Sequence, residues 1–169
     1  VSVGAFRQGA DDSDSKQSSS GGYALIAESV APLMHDPATA AGRDALSLGP
    51  EVAEIEVARF RLRQGDDASC LNLYRPQNPR LIGATADFIA ENRFSFSASL
   101  AENDAEARNP WLLLDQPVEE NVVPVIGDAT SLAYVFHLGV GEEFVMGGPD
   151  GQPLRLRIVG ALHDSVLQS

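Results

Sequence analysis

The chain has 169 residues, of which 44% are apolar and 21% charged, so one globular domain can form a core without disulfides or metal ions. Twelve Lys and Arg residues are set against 24 Asp and Glu residues, and this formal net charge of −12 disfavours nucleic acid or an anionic membrane surface as a partner. The single cysteine, Cys70, cannot form an internal disulfide, and we expect it to be a small buried side chain.

The first part of the chain predicts a polar loop followed by a strand, a helix and a second strand. Residues 7–22 are rich in Ser, Asp and Gly and predict a flexible loop, because they bury too little apolar surface to become ordered. An apolar strand is predicted over 23–28. Asp36, followed by a proline, predicts the start of a short helix over 37–46. Alternating apolar and arginine residues over 51–63 predict another strand.

A smaller inserted subdomain is predicted over 66–120. Its helix candidate is the amphipathic stretch 85–91, and the acidic, alanine-rich stretch 101–108 is predicted to be a helix or a loop. Between them, Phe94 and Phe96 alternate with serines, which indicates a strand.

The last third of the chain has the clearest local signals. Residues 122–126 predict a buried strand, and Asp128 is placed to cap a helix over 129–138. Gly139 stands where a helix-terminating glycine is expected, and His137 is expected to pack or to cap the end of the same helix. Two alternating stretches flank the sequence GGPDGQ and predict a β-hairpin.

The order of these elements predicts the fold class. Two segments share the order strand, helix, strand, and two such units can pair in one sheet. The predicted class is α/β (α+β): a single domain over 1–169 with a mixed β-sheet, short helices on one face and the smaller inserted portion.

The sequence predicts no catalytic residue, no metal site and no cofactor. It contains neither a GxSxG nucleophile motif nor a GxxxxGK[ST] phosphate-binding loop. The string His163, Asp164, Ser165 contains the residue types of a catalytic triad, but sequence neighbours rarely face one another, so we expect a strand end there. An acidic run near the N-terminus fails the calcium-loop pattern at Lys16.

Four stretches carry a family resemblance. They are VSVGAFRQG at 1–9, GDDASCLNLYRPQNPRLIG at 65–83, VIGDATSLAYVFHLGVGEEF at 125–144 and GQPLRLRIVGALHDSVLQS at 151–169. Together they resemble the extracytoplasmic (periplasmic core) domains of ABC transporter permeases of the MacB/FtsX-like group. The second stretch resembles a subgroup of these permeases, whereas the last two match a broader pattern.

The resemblance implies a fold, a location and a set of partners. It implies an α/β core with a smaller inserted subdomain at the extracytoplasmic (periplasmic) face of the inner or plasma membrane. Val1 would follow one transmembrane helix and Ser169 would precede another. The domain would not be an enzyme; it would transmit motion driven by a cytoplasmic ATP-binding subunit or domain, acting through the membrane part. A second permease copy or half, and a periplasmic partner protein or lipoprotein, are the other implied partners.

Several residues are candidates for contact with a partner or substrate. Apolar clusters and aromatic pairs form either the core or an interaction patch, and both alternatives stay open for the aromatic and leucine candidates. The two candidates in the Pro- and Asn-rich loop either fix the inserted portion or touch a partner. The candidates are Tyr74, Arg75, Phe94, Phe96, Trp111, Leu112 and Leu113.

Two other function classes remain open from the sequence. A stand-alone secreted enzyme resembling a hydrolase would need a Ser or Cys with a His in a concave pocket. A ligand-binding module would show a deep apolar pocket. Chain ends far apart would favour the enzyme over a domain held between two membrane helices.

Overall fold

The computed structural model describes residues 15–29, 31–66, 77–116, 121–148 and 151–167. The strands are β1 (Arg61–Arg63), β2 (Leu81–Gly83), β3 (Phe96–Ser99), β4 (Val122–Asp128), β5 (Glu143–Gly147) and β6 (Pro153–Leu162). The helices are α1 (Ala40–Ala45), α2 (Ala86–Glu91), α3 (Asp104–Arg108) and α4 (Ala129–Ser131), the last continued by a π-helical turn over Leu132–Phe136. Two 3-10 helices span Pro50–Glu54 and Pro110–Asp115.

The main sheet has four strands and is organised around β6. β4 runs parallel to β6 on one side, whereas β5 and β3 run antiparallel to it on the other side. β5 pairs with the first half of β6 and β3 with its second half. The sheet is therefore mixed, as the sequence predicted, and short helices pack against it.

A β-bulge in β6 changes which face of the sheet its side chains reach. Val125 of β4 pairs with Ile158, but the next residue pairs with Gly160, so β6 carries one extra residue. Ile158 consequently packs against α4 and its π-helical turn, whereas Leu162 packs against the opposite core cluster around Trp111. Helical segments thus cover both faces of the sheet, where the sequence predicted helices on one face.

The predicted helix after β4 is confirmed at its start and corrected at its end. The Asp128 side chain accepts hydrogen bonds from the backbone N–H groups of Thr130 and Ser131, at 3.0 Å each. The helix ends at His137, which has a left-handed φ of 53°, so the prediction of Gly139 as the terminating residue is wrong. His137 is therefore the residue that ends this helix.

The predictions for the first part of the chain are only partly confirmed. A helix lies over Ala40–Ala45, but its N-cap is Thr39 rather than Asp36. Residues 23–28 form no strand. The predicted strand over 51–63 is strand only at Arg61–Arg63, because its beginning is the 3-10 helix and no strand pairs with the residues between. The strand–helix–strand order predicted for the first segment is therefore wrong, because residues 23–28 are not a strand.

The small second sheet consists of β1 and β2, with Leu62 opposite Ile82. Asp66, just beyond β1, accepts hydrogen bonds from the backbone N–H groups of Gln77 and Asn78 and from the Asn78 side chain. The bonds from Asn78 and Gln77 lower the pKa of the Asp66 carboxyl. This carboxylate holds the two sides of the hairpin together.

Within the predicted inserted portion, α2 confirms the helix over 85–91, and α3 is the helical part of the stretch 101–108. The predicted strand is confirmed from Phe96 onward as β3, whereas Phe94 lies outside it with a φ of 67°. The side chain of Thr85 caps α2, and that of Asn103 caps α3, as their residue types favour. No helix in the described part of the chain is both long enough and apolar enough to span a membrane.

Candidate functional site

Five aromatic side chains form a cluster on one face of the main sheet. The Trp111 ring meets the rings of Phe88 and Phe96 edge-on, with centroids 5.0 and 5.5 Å apart. Phe60 and Phe94 pack around the Phe88 ring. Edge-to-face pairs are favourable because the positive edge of one ring meets the negative face of another. We call these five residues the Trp111 cluster.

The contact residues predicted from the sequence lie mainly in this core. Phe94, Trp111 and Leu113 are buried, and Phe96 and Leu112 are partly buried. Their packing favours the core alternative over an exposed patch. Tyr74 and Arg75 lie outside the described residues.

The buried guanidinium of Arg93 lies beside the Trp111 cluster. Only 2% of Arg93 is exposed, and its guanidinium donates to the carbonyl oxygen of Gly21 at 2.8 Å. It also forms ion pairs with Glu91 and with Glu56, the latter at 2.6 Å. The ring of Tyr23 lies 4.3 Å below the guanidinium carbon, close enough for a cation–π interaction. One side chain thereby joins three separate stretches of chain.

The backbone of Arg93 completes the same site. Its carbonyl oxygen accepts a 2.6 Å hydrogen bond from the indole N–H of Trp111. A buried indole needs such a partner, because its N–H would otherwise lose its bond to water. Arg93 therefore binds polar groups through its side chain and the Trp111 indole through its backbone.

The ionisation of these groups follows from their contacts. The hydrogen bond from Arg93 lowers the pKa of the Glu56 carboxyl, although this side chain remains 63% exposed. Burial would lower the pKa of Arg93, but its bonds to Glu56 and Glu91 outweigh burial and raise it. Burial raises the pKa of the Tyr23 phenol. Arg93 is thus charged and Tyr23 neutral at physiological pH.

Residues 15–22, the described part of the predicted flexible loop, form turns packed against this site. The backbone N–H of Phe94 donates to the carbonyl oxygen of Lys16 at 2.7 Å. Gly21 has a φ of 63°, and a Cβ there would lie 2.6 Å from the Phe94 ring, so only glycine fits. The N-terminal turns are therefore anchored to the core.

The C-terminal stretch after β6 returns to the same place. The backbone N–H of Val166 donates to the carbonyl oxygen of Ser19 at 3.0 Å. One residue earlier, Ser165 is 2% exposed, and its N–H donates to Asp128 Oδ2 at 2.9 Å. We call Ser19, Asp128, Ser165 and Val166 the end junction, because they join the first and last described stretches of the chain.

The Asp128 carboxylate accepts hydrogen bonds from two separate segments at the end junction. Its Oδ1 caps α4 and its Oδ2 holds the segment after β6. The sequence predicted the first role from the residue type and its position before a helix. The second role has no local signal, because Ser165 lies 37 residues further along the chain.

The string His163, Asp164, Ser165 does not have the arrangement of a catalytic triad. His163 and Asp164 are exposed, with a nitrogen–oxygen distance of 3.7 Å. The hydroxyl of Ser165 accepts a hydrogen bond from the backbone N–H of Leu167. The segment is the turn that follows β6, as expected from the sequence.

Among the described residues, no three side chains of His, Cys, Asp or Glu are grouped so that they could hold a metal ion. Comparison with known proteins assigns no family to this geometry: no family model matches the chain, and no curated protein or solved structure shows significant similarity to it. The description of the candidate site therefore rests on the contacts of Arg93, the Trp111 cluster and the end junction alone.

Replacing Arg93 by methionine should destabilise the protein by about 2 kcal/mol, because the Gly21 carbonyl and the Glu91 carboxylate lose a charged donor. The matched control is Arg80→Met, which removes an exposed ion pair with Glu28 and should cost at most about 1 kcal/mol. Urea unfolding followed by tryptophan fluorescence measures both. Equal midpoints for the two variants would contradict the role given to Arg93.

Replacing Asp128 by alanine should cost more than the loss of a helix cap alone. The cap contributes about 1 kcal/mol, and the buried N–H of Ser165 is left without its acceptor, which costs a further 1–3 kcal/mol or so. Thr85→Ala is the control, since it removes only the cap of α2. Hydrogen exchange should also show that the Ser165 amide loses protection in Asp128→Ala alone; unchanged protection would refute the end junction.

Proposed function

We propose that this chain is a non-catalytic extracytoplasmic domain of an ABC transporter permease of the MacB/FtsX-like kind. It transmits motion between membrane helices and a partner or substrate outside the membrane. The sequence resemblance carries the proposal, and the end junction is the structural observation that supports it. A domain held between two neighbouring membrane helices must release both chain ends on the same side.

The described residues agree with that requirement. Ser19 and Val166 share a backbone hydrogen bond, so the first and last described stretches leave the domain side by side. Neighbouring ends are common in single domains. They are a necessary condition for this function, and the family resemblance supplies the specific argument.

The contacts behind the end junction suit the transmission of force. Residues 163–167 continue directly from β6, which pairs with each of the other strands of the main sheet. A displacement of that end therefore acts on the centre of the sheet. The other end is tied to the core through the bonds from Phe94 to Lys16 and from Arg93 to Gly21.

Close packing makes such a unit move as one body. Protein interiors are packed like organic crystals and transmit strain rather than absorbing it. In the proposed cycle, a cytoplasmic ATP-binding subunit or domain moves the membrane helices, and the domain follows as a rigid body against a second permease copy or half. A periplasmic protein or lipoprotein would receive the movement.

The reading frame that encodes this chain tests the proposal directly. About 30 residues beyond each end should each contain an apolar span of about 20 residues, the length of a membrane helix. A secretory signal peptide upstream, with a stop codon soon after Ser169, would contradict the permease assignment. The stand-alone enzyme and the ligand-binding module would then be the leading alternatives.

A further inference from the structure

A shallow cleft of about 100 Å³ opens beside β6, away from the end junction. Its walls come from four elements or their flanks: β4, β6, the segment after β3 and the second 3-10 helix. The lining residues are Leu100, Glu102, Leu113, Gln116, Pro124, Arg157 and Val159. Four of the seven are apolar, and the other three carry a cation, an anion and an amide.

Arg157 is the cation, and its guanidinium has no ion-pair or hydrogen-bond partner within the described ranges. Glu143 stands directly opposite it in the register of β5 and β6, but the Glu143 carboxylate binds Arg155 instead, at 2.7 and 3.0 Å. Beyond its backbone pairing in the sheet, no ion pair or hydrogen bond joins the Arg157 side chain to a described residue, although Arg157 is partly buried. An unpaired guanidinium in a partly apolar cleft is poised to bind an anion.

One wall of the cleft is fixed by a buried carboxylate. Glu106 accepts hydrogen bonds from the backbone N–H of Glu102 at 2.8 Å and from the side chain of Asn103 at 2.6 Å. It also accepts one from the Gln116 amide nitrogen. No described residue donates a hydrogen bond to the Gln116 side-chain oxygen or to the Glu102 carboxylate, so both can accept from a ligand. The backbone at Glu102 and the side-chain amide of Gln116 are thereby held in place before any ligand arrives.

From these groups, we propose that the cleft binds an α-carboxylate next to a small aliphatic side chain. The Arg157 guanidinium pairs with the carboxylate through two parallel hydrogen bonds. The four apolar side chains cover the aliphatic group, and Gln116 or Glu102 accepts from the nitrogen on the α-carbon. The same chemistry occurs in a free amino acid and at the C-terminus of a polypeptide.

The size of the cleft limits the ligand. A closed cavity of about 150 Å³ in another protein holds benzene. A cleft of about 100 Å³ is smaller, so a side chain the size of valine fills it and a large aromatic side chain does not fit. Because the cleft is open, the rest of a polypeptide could continue outside it.

The test is a titration of the ¹⁵N-labelled 169-residue chain, followed by NMR, with acetyl-L-valine and with acetyl-L-valine amide. Acetyl-valine should bind saturably with a dissociation constant of about 1 mM, and residues around β6 and Gln116 should shift. The amide, which lacks the carboxylate, should bind at least about tenfold more weakly. Equal binding of the two probes, or no saturable binding of acetyl-valine, would overturn the proposal.

Two variants locate the binding site. Arg157→Gln should weaken the binding of acetyl-valine by about tenfold, because the paired hydrogen bonds are lost. Arg61→Gln is the control, since this arginine is exposed on β1 and does not line the cleft. It should change the affinity by less than about twofold. Unchanged spectra of both free variants confirm the fold, and equal effects of the two substitutions would refute the site.

L-valine distinguishes the two sources of the ligand. If the natural ligand is a free amino acid, valine binds more tightly than acetyl-valine, and Glu102→Gln removes the difference because the ammonium group loses its anion. If the ligand is a polypeptide end, acetyl-valine binds more tightly than valine. Either order supports the site, and its occupancy does not depend on the permease proposal.

Discussion

The pairing of β6 with all three other strands of the main sheet is the constraint on which the architecture depends. It orients β4 and β5, and through them the helix between these strands. Its bulge turns Ile158 toward α4 and Leu162 toward the Trp111 cluster, so one strand supports the cores on both faces. The segment that follows β6 forms part of the end junction, and two residues of β6, Arg157 and Val159, line the cleft.

A second constraint attaches the irregular first part of the chain to that sheet. The N-terminal turns and the stretch around Glu56 have few regular elements, and Arg93 binds both of them. Burying a guanidinium is costly unless its charge and its donors are compensated. Here Glu91 and the Gly21 carbonyl accept hydrogen bonds from two of its nitrogens, and the third, Nη2, is compensated by the charge of Glu56 at 2.6 Å. The resulting polar contact fixes the position of segments that the apolar core alone would leave less defined.

The sequence predicted well where local signals agree with the pairing of the strands. The cap at Asp128, the strand before it and the final hairpin all have residue patterns that do not depend on distant contacts, although β4 is mostly half-buried rather than buried. The strand predicted over 23–28 failed because a strand needs a neighbour, and an apolar pattern does not show whether one exists. Arg93 had no signal either, since a buried arginine is recognisable only by partners such as Gly21, 72 residues away.

The central claim is that the domain moves as one body with its two ends held together. If the proposal holds, nitroxide labels at Ser20→Cys and Leu167→Cys, in a Cys70→Ser background of the proposed full-length permease, report the distance between the first and last described stretches in the nucleotide-free and ATP-trapped states. A label at Tyr134→Cys, an exposed site, reports the distance between two copies of the domain. The account predicts an unchanged short distance between the ends and a changed distance between the copies. Ends that separate with ATP, or copies that do not move, would contradict it.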